Sequence, residues 1–349
     1  QRSRYFNISH KLKLYYLLIE NIYIIITDNK LESCLNMKLD TSKASISVLG
    51  ALNMDLIMNL DRPANPGETV VGDKFYTAPG GKGGNQAVAA ARVSNSESVS
   101  FLGFIGDDNY GSELKMYLKN ESIITNSLQT EKSLHSGIAI IFTTNDGENY
   151  VNAVYGANEK KDLELVNSFE RNINKTKILI TQNELDEEIT RECMKIANKN
   201  NIPVILDPAP FRKDREIDYY KMADFITPNE IEAELMTGIK ITNKDDAKKA
   251  AKSLLSNGIK NCVITLGENG AFYMGQNEEK YFSPYKINEV KASVAAGDAF
   301  TGIMGASMAT GEDLNNSIGN AIIGSALSVT KYGAQESMPY YDEIMKTKI

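Results

Sequence analysis

The sequence predicts an α/β fold, a three-layer α/β/α sandwich around a mostly parallel central sheet, with a small β-sheet beside it. Two observations predict the sandwich: apolar runs alternate with helical segments from residue 45 onward, and the runs are short. Residues 45–50, 99–103, 177–181, 203–206, 224–226 and 262–266 read as strands. Residues 86–93, 187–200 and 245–257 read as helical, the last two with polar faces. Short uninterrupted apolar runs mark strands covered on both faces, which is the habit of parallel sheets. Such sheets bind ligands at the carboxyl ends of their strands.

A third observation predicts the small sheet. Residues 55–76 and 137–155 break the rhythm, and the second contains alternating β-prone residues around Asn145-Asp146-Gly147, a hairpin signal. Strands outside a βα rhythm suit a lid, a dimer surface or an edge. No internal repeat occurs in residues 45–349, so one domain is expected, with lid strands within about 55–79 and 137–155. Residues 1–44 differ, being rich in Tyr, Ile, Asn and Lys, and are expected to be a leader of unknown role, disordered or artefactual. Their apolar run at 12–26 is broken by Lys13, Glu20 and Asn21 and is shorter than the ~20 apolar residues of a bilayer span. No membrane partner is expected.

Composition narrows the chemistry. Of the 349 residues, 42% are hydrophobic and 24% charged, which is globular. The net charge is −7 and no long basic block occurs, so a nucleic-acid partner has no electrostatic support. The three cysteines, Cys34, Cys193 and Cys262, are far apart and odd in number. That pattern fits a reducing, cytoplasmic compartment and neither a disulfide framework nor a zinc cluster. Only His10 and His135 exist, so a Ser-His-Asp relay or a His-rich metal site would rest on His135. A carboxylate is the expected base.

Five segments could supply the chemistry. In Ala295-Ala296-Gly297-Asp298-Ala299-Phe300 a small-residue turn runs into a helix start, where unpaired N–H groups favour anions; Asp298 there is a base or a helix cap. In Gly80-Gly81-Lys82-Gly83-Gly84-Asn85-Gln86, glycines precede a helix and carry Lys82 and Asn85 as polyhydroxyl-binding side chains. This is neither a Walker A loop nor a dinucleotide fingerprint, and a plain glycine turn is the alternative. Asn53 and Asp55, two residues apart after the first strand, would point to one side and grip adjacent hydroxyls, or form a turn. Thr227-Pro228-Asn229-Glu230-Ile231-Glu232 opens an acidic helix, where Glu232 either complements the helix dipole or helps hold hydrated Mg²⁺. Thr265-Leu266-Gly267-Glu268-Asn269-Gly270 is a hairpin or a phosphate-accepting turn.

In this order, and together with Pro66-Gly67-Glu68-Thr69 and Gly333-Ala334-Gln335, these segments closely resemble the PfkB-type carbohydrate kinases of the ribokinase group over nearly all of residues 45–349. The resemblance implies a ribokinase-like sandwich with a β lid that closes over a sugar and joins two chains as a homodimer. It implies transfer of the ATP γ-phosphoryl group to D-ribose, giving D-ribose 5-phosphate. Asn53, Asp55, Gly81, Lys82, Asn85 and Glu184 would hold the sugar, with Asp298 as base and the N–H groups of Ala296, Gly297 and Asp298 as anion hole. Asp207, Asn229, Thr265, Gly267, Gly270, Gly297 and Asn320 would line the ATP site, and Glu232 would serve Mg²⁺ through water. A K⁺ site would draw on Ser293, Val294, Gly333 and Ser337.

The chain departs from that pattern at Ala292, which stands where the family carries a cation-binding Asp, so weak or absent K⁺ activation is expected. Asp207 stands where many relatives have Asn. Two alternatives accompany the reading: a kinase for another pentose, a ketose or a nucleoside, and a non-catalytic sugar-binding protein.

Overall fold

The computed structural model describes residues 46–96, 98–144 and 149–348. The expected leader, with His10 and Cys34, and the Asn145-Asp146-Gly147 turn lie outside the described residues. The described chain opens with β1 (Ile46–Leu49), leaves for β2 (Asn53–Leu60) and β3 (Lys74–Gly80), and returns through α1 (Lys82–Arg92) to β4 (Val99–Gly106). After α2 (Asn109–Asn120) and β5 (Ile124–Glu131) it leaves again for β6 (Gly137–Thr144) and β7 (Asn149–Val154). A βα rhythm follows through α3 (Leu163–Asn172), β8 (Ile178–Thr181), α4 (Glu187–Lys199), β9 (Val204–Leu206), α5 (Ile217–Tyr220), β10 (Phe225–Ile226), α6 (Glu230–Thr237), α7 (Lys244–Ser256) and β11 (Cys262–Thr265). The hairpin strands β12 (Ala271–Met274) and β13 (Glu279–Phe282) precede α8 (Ala296–Ala309), α9 (Leu314–Ser328) and α10 (Tyr341–Lys346).

Nine strands form the central sheet in the order β13-β12-β11-β10-β9-β8-β1-β4-β5. From β5 to β11 neighbours are parallel, and only β12 and β13 run antiparallel at one edge. The alternation of side chains along each strand feeds two cores. Leu49, Leu179, Val204, Leu206 and Ile264 face the layer of α3, α4 and α7, meeting Phe169, Ile189, Met194 and Leu254. Val48, Ile178, Ile180, Ile205 and Val263 face the other layer, meeting Val88 of α1 with Phe300 and Ile303 of α8. The three-layer sandwich is therefore what the apolar runs predicted. No helix among the described residues is long and apolar enough to cross a membrane.

The chain turns to one side of β1 for β4 and β5 and to the other for β8 and its successors. Strand order thus reverses beside β1, where α/β sheets leave a crevice at their carboxyl ends. Over this end lies the second sheet, β3-β2-β6-β7, formed by the two segments that broke the rhythm. It is mixed: β2 pairs antiparallel with β3 and parallel with β6, and β6 pairs antiparallel with β7. The registers put Asn53 and Asp55 on one face and Leu56, Met58, Phe75, Ile140, Phe142, Tyr150 and Val154 on the other. Of this second set, Phe75, Ile140, Tyr150 and Val154 are exposed.

Two local expectations change. The helix after the glycine-rich run begins at Lys82, so Gly83 and Gly84 are helical rather than part of a preceding loop. Their reason is close packing: a Cβ on residue 83 would fall 2.6 Å from the Gly50 Cα. Asp298 is the third residue of α8 and does not cap it; Ala295 occupies the N-cap with φ 60° and no side-chain cap bond.

Candidate active site

The carboxyl ends of β1, β8, β9 and β10 bring their following turns toward the N-termini of α1 and α8. Asp298, 4% exposed, is the focus. Its Oδ2 accepts a hydrogen bond from Asn85 Nδ2 (2.9 Å) and its Oδ1 one from Gln86 Nε2 (3.0 Å). Lys82 Nζ lies 3.9 Å from Oδ1, close enough for charge attraction and too far for a good hydrogen bond. Lys82, Asn85 and Gln86 share α1, so the helix presents an ammonium and two amides to one carboxylate. Burial opposes the Lys82 charge, but Asp298, Asp207, Glu184 and Glu232 together raise its pKa above the ordinary lysine value.

Carboxylates surround this ammonium. Glu184, in the turn after β8, accepts from the Lys82 backbone N–H at 2.8 Å. Burial pushes the Glu184 pKa up to about 7, with Lys82 acting against the rise. Asp207, after β9, accepts from Gln86 Nε2 (2.8 Å) and from the Ala209 N–H (3.1 Å). Its pKa is also raised, by burial first, with Lys82 opposing and Glu232 and Asp298 adding to the rise.

Toward the small sheet, Asn53 Oδ1 accepts from Asn158 Nδ2 (3.1 Å), and Asn158 also clasps the backbone N–H and C=O of Leu52. Asp55 pairs with Ala78 across β2 and β3, and its carboxylate reaches over Gly80, where a Cβ would fall 2.2 Å from its Oδ2. Desolvation, and then the charges of Glu184, Glu336 and Asp298, push the Asp55 pKa up to about 7. Gly81 carries φ 85°, and a Cβ there would lie 2.7 Å from the Ala51 O, so glycine lets α1 approach the end of β1.

At the opposite side, Asn229 and Glu232 form a capping box at the start of α6: the Glu232 N–H donates to Asn229 Oδ1 (2.8 Å), and the Asn229 N–H donates to Glu232 Oε2 (2.9 Å). Burial raises the Glu232 pKa. Asn229 bridges Thr265 at the end of β11, where Gly267 and Gly270 have φ 50° and 90°. The hairpin into β12 and the glycine turn at the strand end are therefore the same structure. Asn320 is set apart, buried between α8 and α9 with Nδ2 donating to Ser307 Oγ (3.1 Å). Ser307 lies nine residues along α8 from Asp298, about 13 Å by helix rise.

The segment carrying Ser293 and Val294 is anchored by the Lys291 and Ala292 N–H groups, which both donate to the Val329 O. Ser337 is buried, and its hydroxyl donates to the Ala334 O (2.8 Å) near Gly333. This segment offers a cation no carboxylate, and Lys291 adds a positive charge beside Tyr332. No group of three or more His, Cys, Asp or Glu among the described residues is arranged to hold a metal ion. His135 does not form a relay: its Nδ1 meets the Ser136 carbonyl, while the Ser136 hydroxyl donates to Asp108.

Sequence reasoning missed Gln86, Gln182 and Asn158. Gln86 lies four residues after Lys82 on the same helix face, a spacing that would have grouped them once the helix start was placed at Lys82. Asn158, in a buried 3₁₀ turn, carries no local signal.

Comparisons with known proteins agree with this fold. The model described as pfkB family carbohydrate kinase matches residues 43–340. A ribokinase of Schizosaccharomyces pombe is 35% identical over 308 residues, covering 86% of this chain and 96% of that one. A deoxyribokinase of Salmonella typhi is 31% identical over 298 residues, covering 85% and 96%. The solved structure of an Arabidopsis thaliana ribokinase complexed with ribose and ATP is similar with a TM-score of 0.79 and 26% identity, covering 87% of this chain and 98% of that one. The chain belongs to the pfkB family of carbohydrate kinases.

Proposed function

We propose that this ATP-dependent sugar kinase phosphorylates D-ribose at its 5-hydroxyl, with Asp298 as the base. The observation that carries the reading is the Asp298 carboxylate at the uncapped start of α8, aligned by Asn85 and Gln86 beside the Lys82 ammonium. Asn53, Asp55, Gly81, Lys82, Asn85 and Glu184 hold the sugar. Asp298 takes the hydroxyl proton as the oxygen bonds to the γ-phosphorus, the bond to the β,γ-bridging oxygen breaks, and ADP leaves. The N–H groups of Ala296, Gly297 and Asp298 donate to the oxygens on which equatorial charge develops, that of Ala296 giving up its 3.4 Å bond to the Ser293 O, and Lys82 adds to the same stabilisation.

Asp207, Asn229, Thr265, Gly267 and Gly270 line the ATP site, with Asn320 toward its adenine end. Mg²⁺ fits here, because it needs only one or two carboxylates beside phosphates and water, and half-buried Glu232 and buried Asp207 both have pKa values raised by burial. When bound, the ion neutralises phosphate charge; Glu232 would hold it through water. The small sheet acts as a lid that excludes water, a competing acceptor. Its apolar outer face, with Phe75, Ile140, Tyr150 and Val154 exposed, meets a second copy of the chain. A cytoplasmic location suits the buried free thiols of Cys193 and Cys262, whose pKa burial pushes up to about 12.

Deoxyribose is the second reading, supported by the Salmonella relative, since specificity between the two sugars rests on a single hydroxyl. ADP release measured over ribose, 2-deoxyribose, ketoses and nucleosides tests both. The highest kcat/KM with ribose supports the proposal; preference for any other acceptor overturns it.

A further inference from the structure

Gln86 has no surface of its own for a substrate to touch, being 0% exposed, yet its amide meets three functional groups. One N–H of Nε2 goes to Asp298 Oδ1 (3.0 Å) and the other to Asp207 Oδ2 (2.8 Å). Its Oε1 accepts from Gln182 Nε2 (2.6 Å). Two carboxylates demand donors, so the amide has one workable orientation and no hydrogen-bonding capacity is left on its nitrogen.

The geometry points to Gln86 as a positioning residue for phosphoryl transfer: a buried amide clamp, itself fastened by Gln182, that fixes the plane of the Asp298 carboxylate and ties it to Asp207. This rests on the reading of Asp298 as base. The neighbouring Lys82 cannot perform the task, because at 3.9 Å it supplies charge without direction. Asn85 holds only the other oxygen, which leaves the carboxylate free to rotate about that contact. The charged groups facing this clamp are Lys82 from α1, Glu184 after β8, Asp207 after β9, Glu232 from α6 and Asp55 from β2. Four of these five are acidic, so the single ammonium is shared among them and the Gln86 amide supplies Asp298 with a directed donor.

Two substitutions separate alignment from packing. Gln86→Met keeps length and volume and donates nothing; Gln86→Glu keeps shape and donates only when protonated. For Gln86→Met we expect kcat to fall roughly 10- to 100-fold with the sugar KM changed less than about threefold. For Gln86→Glu, activity relative to wild type rises as pH falls from 8 to 6, because the protonated side chain restores one donor. Wild-type kcat and pH profile in both variants overturn the inference, and so does a loss in Gln86→Glu that is equal at every pH. Gln182→Met, which only unfastens the clamp, gives a smaller loss in the same direction and decides the matter if Gln86→Met lowers the yield of folded protein. Asp298→Asn run in parallel distinguishes the two readings: its near-normal turnover overturns the base, whereas its inactivity beside unaffected Gln86 variants overturns the clamp alone.

Discussion

Glu184 accepts a 2.8 Å hydrogen bond from the backbone N–H of Lys82, joining the turn after β8 to the first residue of α1. One carboxylate oxygen is thereby committed to the helix start, where negative charge is favoured, and the other remains for a ligand hydroxyl. The same α1 residue thus contributes its backbone to one acid and its ammonium to another, Asp298.

With Asp55 and Glu184 holding the sugar as proposed, this arrangement makes sugar binding pH-dependent. Asp55 and Glu184 each have a pKa pushed up to about 7, from ordinary values of 3.8 and 4.5. The folded free enzyme therefore holds more protons than the unfolded chain across that interval, and the stability this contributes is full below the ordinary values and lost as pH rises through about 7. Sugar hydroxyls donate to the ionised acids, so ribose affinity rises over the same range. Calorimetric titration at pH 6 and pH 8 should show tighter binding at pH 8, and Asp55→Asn should weaken binding and flatten the dependence. Melting at pH 8 should show Asp55→Asn more stable than wild type by roughly 2–6 °C. Binding that is indifferent to pH contradicts this account.

Gly83→Ala should destabilise the protein although alanine is the better helix former by about 1 kcal/mol. The added methyl would sit 2.6 Å from backbone atoms of Gly50, which cannot rotate away. A net loss of about 1–3 kcal/mol in denaturant unfolding is expected. A gain in stability would mean that α1 and β1 are not held this closely.

Ile140→Lys should shift the chain to monomers. Ile140 lies on the apolar outer face of the small sheet, two strands from Phe75, and a lysine there leaves an unpaired charge in the contact. Sedimentation should read a dimer for wild type and a monomer for the variant. A wild-type monomer refutes the dimer face.

Replacing Na⁺ by K⁺ should change the rate less than about twofold. Residues 291–294 offer no carboxylate, and Lys291 opposes a cation nearby. A steep rise in K⁺ would show that carbonyls and Ser337 suffice.

Much of this molecule was legible in its sequence because burial on both faces leaves continuous apolar runs, as at β8 and β11. The polar pair Asn53 and Asp55 was legible for the opposite reason, two buried polar residues sharing one side of a strand. β5 was not, since Ile124–Glu131 mixes exposed polar and buried positions at the sheet's edge. The start of α1 was misplaced because glycine is a poor helix former, and only its contact with Gly50 explains Gly83 there. Gln86 escaped notice because a glutamine in an Ala-rich helix looks like a solvent-facing residue until the two carboxylates it bridges are brought together by the fold.

The central claim is that Asp298 removes the hydroxyl proton, and Asp298→Asn tests it most directly. The account predicts that ADP release with ribose falls at least about 100-fold while ribose still binds by calorimetry. Turnover within a few-fold of wild type would contradict it.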